Sequence, residues 1–247
     1  MKKLHLGAAH TCIKHFRTAP AFVVEDGLVR AFQATFPLVA HAMNQVAAAL
    51  TLLEQGLGYA ARANVRVAFE HAMIAQSVVH TRDGEELIVG SMQKLQRNIL
   101  RDMRTSGAEL TPELDAEIDA PFVNPELSFQ RIADRFDNGS KAIYGLYRHL
   151  TGAVHVSLAT VNAYMDLRGE GQPPALLREA KPDVDPDQTL ALGWSAVLAT
   201  SAVESFRQGD PFREWVNTVA QDHELVPDLG PYDSQPYWQR PQASTTV

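Results

Sequence analysis

Cysteine is nearly missing from this chain. Its 247 residues hold a single one, Cys12, which excludes an intramolecular disulfide and any zinc cluster built on cysteines, and favours a reducing, cytoplasmic setting. Glu-x-x-His and His-Glu-x-x-His are absent as well, so neither a di-iron carboxylate bundle nor a helix-borne zinc hydrolase has its ligands. A phosphate-cradling glycine loop and a Gly-x-Ser-x-Gly elbow are also lacking, which removes the common nucleotide-binding and serine-hydrolase readings. His5, His10 and His15 recur every five residues, a spacing that scatters them round a helix instead of gathering them as ligands. Neither a cofactor nor a metal is expected.

Long uninterrupted apolar runs are scarce too. The start, MKKLHLGAAHTC, has the lysines of a signal peptide, but His5 and His10 break an apolar stretch that is too short for one. The most apolar segment, FPLVAHAMNQVAAALTLL, carries His41, Asn44 and Gln45 on a helical repeat, so it reads as a buried or partner-facing helix and no membrane association is expected. Positive charge is not in excess: 16 of the 22 Lys/Arg and 16 of the 29 Asp/Glu precede Asp166, leaving 6 against 13 from Asp166 onward and a net charge of −7. A neutral body with an acidic end is not the overall footprint of a nucleic-acid binder, so any RNA contact must be local.

What is present is helical periodicity, almost everywhere, without period-two alternation or hairpin turns. The expectation is an all-α protein: a single helical bundle of about six to eight helices over residues 1–226, then an extended or disordered tail over 227–247. Helices are expected over 25–55, with Pro37 as a kink or restart, over 59–79, and over 84–104. The acidic segment from Thr105 to Ser128 should hold a short helix begun at Thr111-Pro112. Another short helix should end at Asn138-Gly139, and Ser140 should cap a long one running to Asp166. Two more follow, the first stopping at Gly209 and the second starting after Asp210-Pro211. Tyr232, Tyr237 or Trp238 are candidates to pin the tail.

Within the 84–104 helix, Ile88, Met92, Leu95, Ile99 and Met103 fall in one narrow stripe at about 100° per residue, which sets it as the expected inner face. Lys94, Arg97, Arg101 and Arg104 gather opposite, either as a solvated outer face or as a track for a phosphate backbone.

The densest chemistry lies in YRHLTGAVH, residues 147–155. On a helix, Arg148 and His155 point only about 20° apart, Tyr147 and Thr151 lie near the same stripe, and Gly152 leaves a gap for a phosphate, a base or another helix. Upstream, RVAFEHA places Arg66 and Glu70 one turn apart, either as an intrahelical ion pair or as groups reaching inward toward Tyr147 and His155. A second Arg-to-His pair, Arg66 and His71, has an apolar Val67 after the arginine, and its side chains diverge by about 140°.

An Arg followed by a polar residue and, within four to six intervening positions, a His resembles the signature of the HEPN (higher eukaryote and prokaryote nucleotide-binding) superfamily, met here by Arg148, His149 and His155. The wording of both motifs is also similar to a group of uncharacterised bacterial all-helical proteins. The resemblance covers residues 40–165. It implies a metal-independent endoribonuclease, in the manner of a toxin or phage-defence effector, with RNA as substrate, a protein antitoxin or other partner, and a homodimer. In that reading His155 acts as general base or acid, since imidazole titrates near neutral pH, and Arg148 stabilises charge developing on phosphorus. Tyr147, His149, Thr151, Arg66 and Glu70 would support or orient them. The alternative is a non-catalytic helical domain that binds a nucleotide, a ligand or a protein, in which these histidines are satisfied packing residues.

Overall fold

A computed structural model describes residues 2–120, 128–137, 139–155, 157–166, 172–180 and 185–230 of the chain. Its centre is built from four helices: α1 (Lys2–Thr18), α2 (Val29–Glu54, entered through a 3₁₀ turn at Asp26–Leu28), α3 (Gly58–His80) and α9 (Pro186–Glu204). α9 is the axis of the fold. From Gln188 to Glu204 nearly every residue is buried, as befits a helix that is apolar or small all round. Its hydroxyls do not leave donors stranded there, because Ser195 and Thr200 donate back to the carbonyls of Ala191 and Ala196 at 2.6 and 2.7 Å. Close approach of α1 depends on Gly193, where a Cβ would lie 2.5 Å from the His5 carbonyl oxygen.

Two buried glutamines tie α3 to this axis. Gln76 donates to the Leu198 carbonyl at 2.9 Å, and Gln188 donates to the Gly58 carbonyl at 2.8 Å. Around them, Phe69, Met73, Leu192, Leu198, Val39 and Val46 form the fully buried core. α2 passes through Pro37 without a break. By length and composition the stretch Asp26–Glu54 could cross a membrane; here it packs along α3 and α9.

The remaining described helices are α4 (Gly84–Thr105), α5 (Pro112–Asp119), α6 (Phe129–Phe136), α7 (Ala142–Thr151), α8 (Leu158–Ala163) and α10 (Arg213–Asp222). The protein is therefore all-α, with one two-residue antiparallel ladder pairing Met165–Asp166 with Ala175–Leu176, short enough to leave no alternation in the sequence. Ten helices stand among the described residues where about six to eight are expected, for two reasons. The N-terminal helix α1 buries Ala8, Ala9, Cys12 and Ile13, mostly small residues in a stretch broken by His5 and His10, which gives no strong apolar signal. The expected 140–166 helix is two helices, α7 and α8. Asp137, more than Ser140, starts the first, taking the amides of Ala142 and Ile143 at 3.0 and 3.1 Å.

The α4 expectation is overturned in its second half. Ile88 is buried, but Met92, Leu95, Ile99 and Met103 are 66, 62, 51 and 41% exposed. Past Gly90 the helix leaves the body, and the inner contact of this projecting arm is instead Leu100, buried together with Ile118 of α5. The opposite, basic face does not present a row of free cations. Arg104 pairs with Asp115 and Asp119 at 3.3 Å each, Arg97 donates to the Ala120 carbonyl at 2.8 Å, and Arg101 donates to Asn98 at 3.2 Å. Of the tail, Pro227 to Gly230 lies against α3, with the Leu229 amide donating to Gln76 at 3.2 Å. Asn138 and the aromatic residues Tyr232, Tyr237 and Trp238 lie outside the described residues.

Candidate functional site at the end of α7

α3 supplies the floor of the site. Arg62, Arg66 and Glu70 succeed one another at four-residue spacing, so they line one face of that helix. Arg66 reaches across to α7 as well as along its own helix. Its Nη2 donates to the Tyr147 hydroxyl at 2.5 Å, its Nε donates to Thr151 Oγ1 at 3.2 Å, and Glu70 accepts an ion pair at 3.3 Å. The guanidinium also lies 5.0 Å from the Tyr147 ring centroid, and that ring stacks on Phe129 at 3.9 Å. Arg66, Glu70, Tyr147 and Thr151 thus form one half-buried lock between α3 and α7.

A second lock, unmarked in the sequence reading, sits beside the first. Asp185 caps α9, accepting the Asp187 amide at 2.9 Å, and its other oxygen takes Arg62 at 3.1 Å and His149 Nε2 at 2.5 Å. Burial pushes the Asp185 carboxyl up, but the His149 hydrogen bond, the Asp187 amide and the Arg62 charge together outweigh it and hold the group below the usual carboxylate range. Tyr59, one turn before Arg62, donates to Thr160 of α8 at 2.9 Å. Two signals for this lock were present in the sequence: Asp185-Pro186 is a helix start, and Arg62 stands four residues before Arg66.

The YRHLTGAVH stretch does not run as one helix. α7 ends at Thr151, after which the amides of Ala153 and Val154 bond three residues back, at 3.2 and 3.0 Å, and the His155 amide returns to Thr151 at 3.3 Å. Tightening from 100° to 120° per residue opens the angle between Arg148 and His155 from about 20° to about 60°. The gap at Gly152 is filled from within the chain: a Cβ there would meet Ala159 at 3.8 Å and Ser157 at 3.9 Å. Ser157 donates to the Gly152 carbonyl, while Thr160 donates to the His155 carbonyl at 3.1 Å, so α8 folds back onto the end of α7. Arg148 and His155 are both exposed, and neither side chain makes a hydrogen bond or ion pair among the described residues.

Comparison with protein-family models, with curated proteins and with solved structures finds no match. The site must therefore be read on its own geometry.

His149, Asp185 and Asp187 bring one ligand atom each to within 4.8 Å of one another, the spacing of a metal site. The Asp185 oxygen that would face an ion already takes the buried Arg62 guanidinium, and its partner oxygen caps α9. A divalent cation would have to compete with that buried charge for the carboxylate, so His149, Asp185 and Arg62 are a hydrogen-bonded network that ties α7 and α3 to the start of α9. His149 is spent on this network, Tyr147 and Thr151 on Arg66, and Arg148 and His155 are left facing solvent.

Proposed function

We propose that the end of α7 is an RNA-cleaving surface of the HEPN type, with Arg148 and His155 as the catalytic pair. The observation that carries this reading is their shared freedom. Every other polar side chain described between Tyr147 and Thr151 is held by a partner, whereas an arginine and an imidazole, about 12 Å apart along the chain axis, stay exposed on the last turn of α7 and the tightened turn that follows it. The two locks beneath hold that turn to α3 and α9, and a rigid support is what a two-residue site needs to keep its geometry. In cleavage, His155 takes the proton of a ribose 2′-hydroxyl, the 2′ oxygen attacks phosphorus, and the bond to the 5′ oxygen breaks. The leaving oxygen takes its proton from solvent, and Arg148 neutralises the charge on the phosphorane oxygens. The products are a 2′,3′-cyclic phosphate and a 5′-hydroxyl, with no metal in the sequence of steps.

Incubation of the purified protein with mixed RNA in excess EDTA tests this. Cleavage that is lost in both Arg148→Ala and His155→Ala, with their folding intact, supports it; cleavage retained in either variant, or absent with varied RNAs, refutes it. A second reading is favoured by the net charge of −7 and by the internal pairing of His149, Tyr147 and Thr151: a non-catalytic helical domain whose α7 end binds a ligand or protein through Arg148.

A further inference from the structure

The projecting half of α4 leaves four large apolar side chains in solvent. Met92, Leu95, Ile99 and Met103 are each more than 40% exposed, and they line one side of the helix over about 16 Å. Scattered single apolar residues on a surface need no explanation, but a continuous row does. The row does not end at Met92. That residue also borders a cavity of about 470 Å³ between α2 and α4, walled by Ala34, Pro37, Leu38, Ile88 and Val89, so groove and stripe form one apolar surface.

We infer that this surface is covered by the α4 of a second copy of the chain, laid antiparallel across it. A two-fold interface requires a patch that complements itself, and the stripe does so in its order: Met, Leu, Ile, Met. With the axis near Arg97, Leu95 meets the partner's Ile99, and Met92 meets the partner's Met103, which thereby reaches the mouth of the groove. The same register serves the polar flank. α5 closes one side of the stripe, where Gln96 donates to Glu117 at 3.3 Å, and the open side carries Ser91, Asn98 and Asp102. The antiparallel pairing sets the Ser91 hydroxyl against the partner's Asp102, a donor against a carboxylate, and Asn98 against the partner's Asn98. A parallel pairing would instead turn the Asp102 flank of each copy toward the partner's α5 flank, where Glu117 lies, a like-charge contact. The inference does not rest on the RNA reading, and it puts the dimer contact on α4, not across the end of α7.

Sedimentation equilibrium of the full chain, over micromolar to hundreds of micromolar, reads the association. A dimer that Leu95→Glu and Ile99→Glu each weaken tenfold or more supports the inference. Both side chains are in solvent in the single chain, so circular dichroism of the variants should match the wild type, and so should Tm at concentrations where both are monomeric. Register is tested by a short bismaleimide cross-linker on single added thiols, because Cys12 is buried, with its thiol pushed up to about 12 by that burial. Asn98→Cys, beside the axis, should cross-link to its own copy. Ser91→Cys should not, since its copies would stand about 18 Å apart along the helix. A monomer throughout the concentration range, a dimer indifferent to both glutamates, or efficient cross-linking through Ser91→Cys overturns the inference.

Discussion

Asp185→Ala should be among the most damaging single substitutions in the protein. Arg62 is 9% exposed, and Asp185 is its ion-pair partner at 3.1 Å. Removing one side of a buried pair costs about 3–5 kcal/mol, because the other charge stays in the interior. The lost N-cap of α9 adds about 1 kcal/mol, and α9 is the central helix. Because Arg62 keeps other contacts, the Tyr59 ring at 5.2 Å among them, the total comes to about 4 kcal/mol. In urea, that moves the unfolding midpoint down by more than about 1 M. Asp187→Ala, an exposed neighbour at the same helix start, should cost under about 1 kcal/mol. If the cost comes from taking the carboxylate away from the buried guanidinium, Arg62→Leu combined with Asp185→Ala should be clearly more stable than the sum of the single variants requires. A midpoint for Asp185→Ala within about 0.3 M of wild type, or strict additivity with Arg62→Leu, refutes the assignment.

Acid should weaken the fold through two carboxylates. Asp185 and Glu204 both titrate below their ordinary values. At Glu204, burial acts upward, but hydrogen bonds from His15 and Arg207 prevail. Each therefore stabilises the protein above an unfolded value of about 4, and that contribution is lost as pH falls through the lower folded one. Urea midpoints taken from pH 6 to pH 3 should fall less for Asp185→Ala than for wild type. Gly145→Ala, in an exposed interior position of α7 with nothing within 4 Å of the added Cβ, should raise stability by about 0.5–1 kcal/mol and leave any RNA cleavage unchanged. Gly84→Ala should do the opposite by about 1–3 kcal/mol, since its Cβ would fall 2.7 Å from the Val78 Cα; thermal denaturation compares the two. Arg66→Ala removes the partner shared by Tyr147, Thr151 and Glu70, and should lower stability by about 2–3 kcal/mol and reduce any cleavage without abolishing it, read by denaturation and RNA assay together.

The long helices were legible because their repeats are long: α2, α3 and α4 begin and end within about four residues of where periodicity and turn residues place them. What periodicity does not carry is the neighbour. The α4 stripe from Met92 to Met103 is correctly read as amphipathic, yet whether an apolar face turns inward depends on another element lying there, and past Met92, which borders the groove against α2, the stripe stays exposed. The site shows the same limit. The i, i+4 spacing of Arg66 and Glu70 was visible, but its link to Tyr147 and Thr151 arises only when α3 and α7 pack. The end of α7 at Thr151 is decided by Ser157 and Thr160 taking up carbonyls at Gly152 and His155, contacts made by a segment that reads as more helix. Ser157 as the cap of α8, accepting the Thr160 amide at 3.2 Å, was the one local sign of that break.

The chemistry assigned to Arg148 and His155 is tested most directly with a short RNA of defined sequence, cleaved in excess EDTA, beside the same strand carrying a 2′-deoxy residue at the cleaved position. Products ending in a 2′,3′-cyclic phosphate, with the deoxy strand left intact, are what a 2′-oxygen attack aided by His155 must give. Cleavage of the deoxy strand at the same bond, or cleavage that needs a divalent ion, would contradict it.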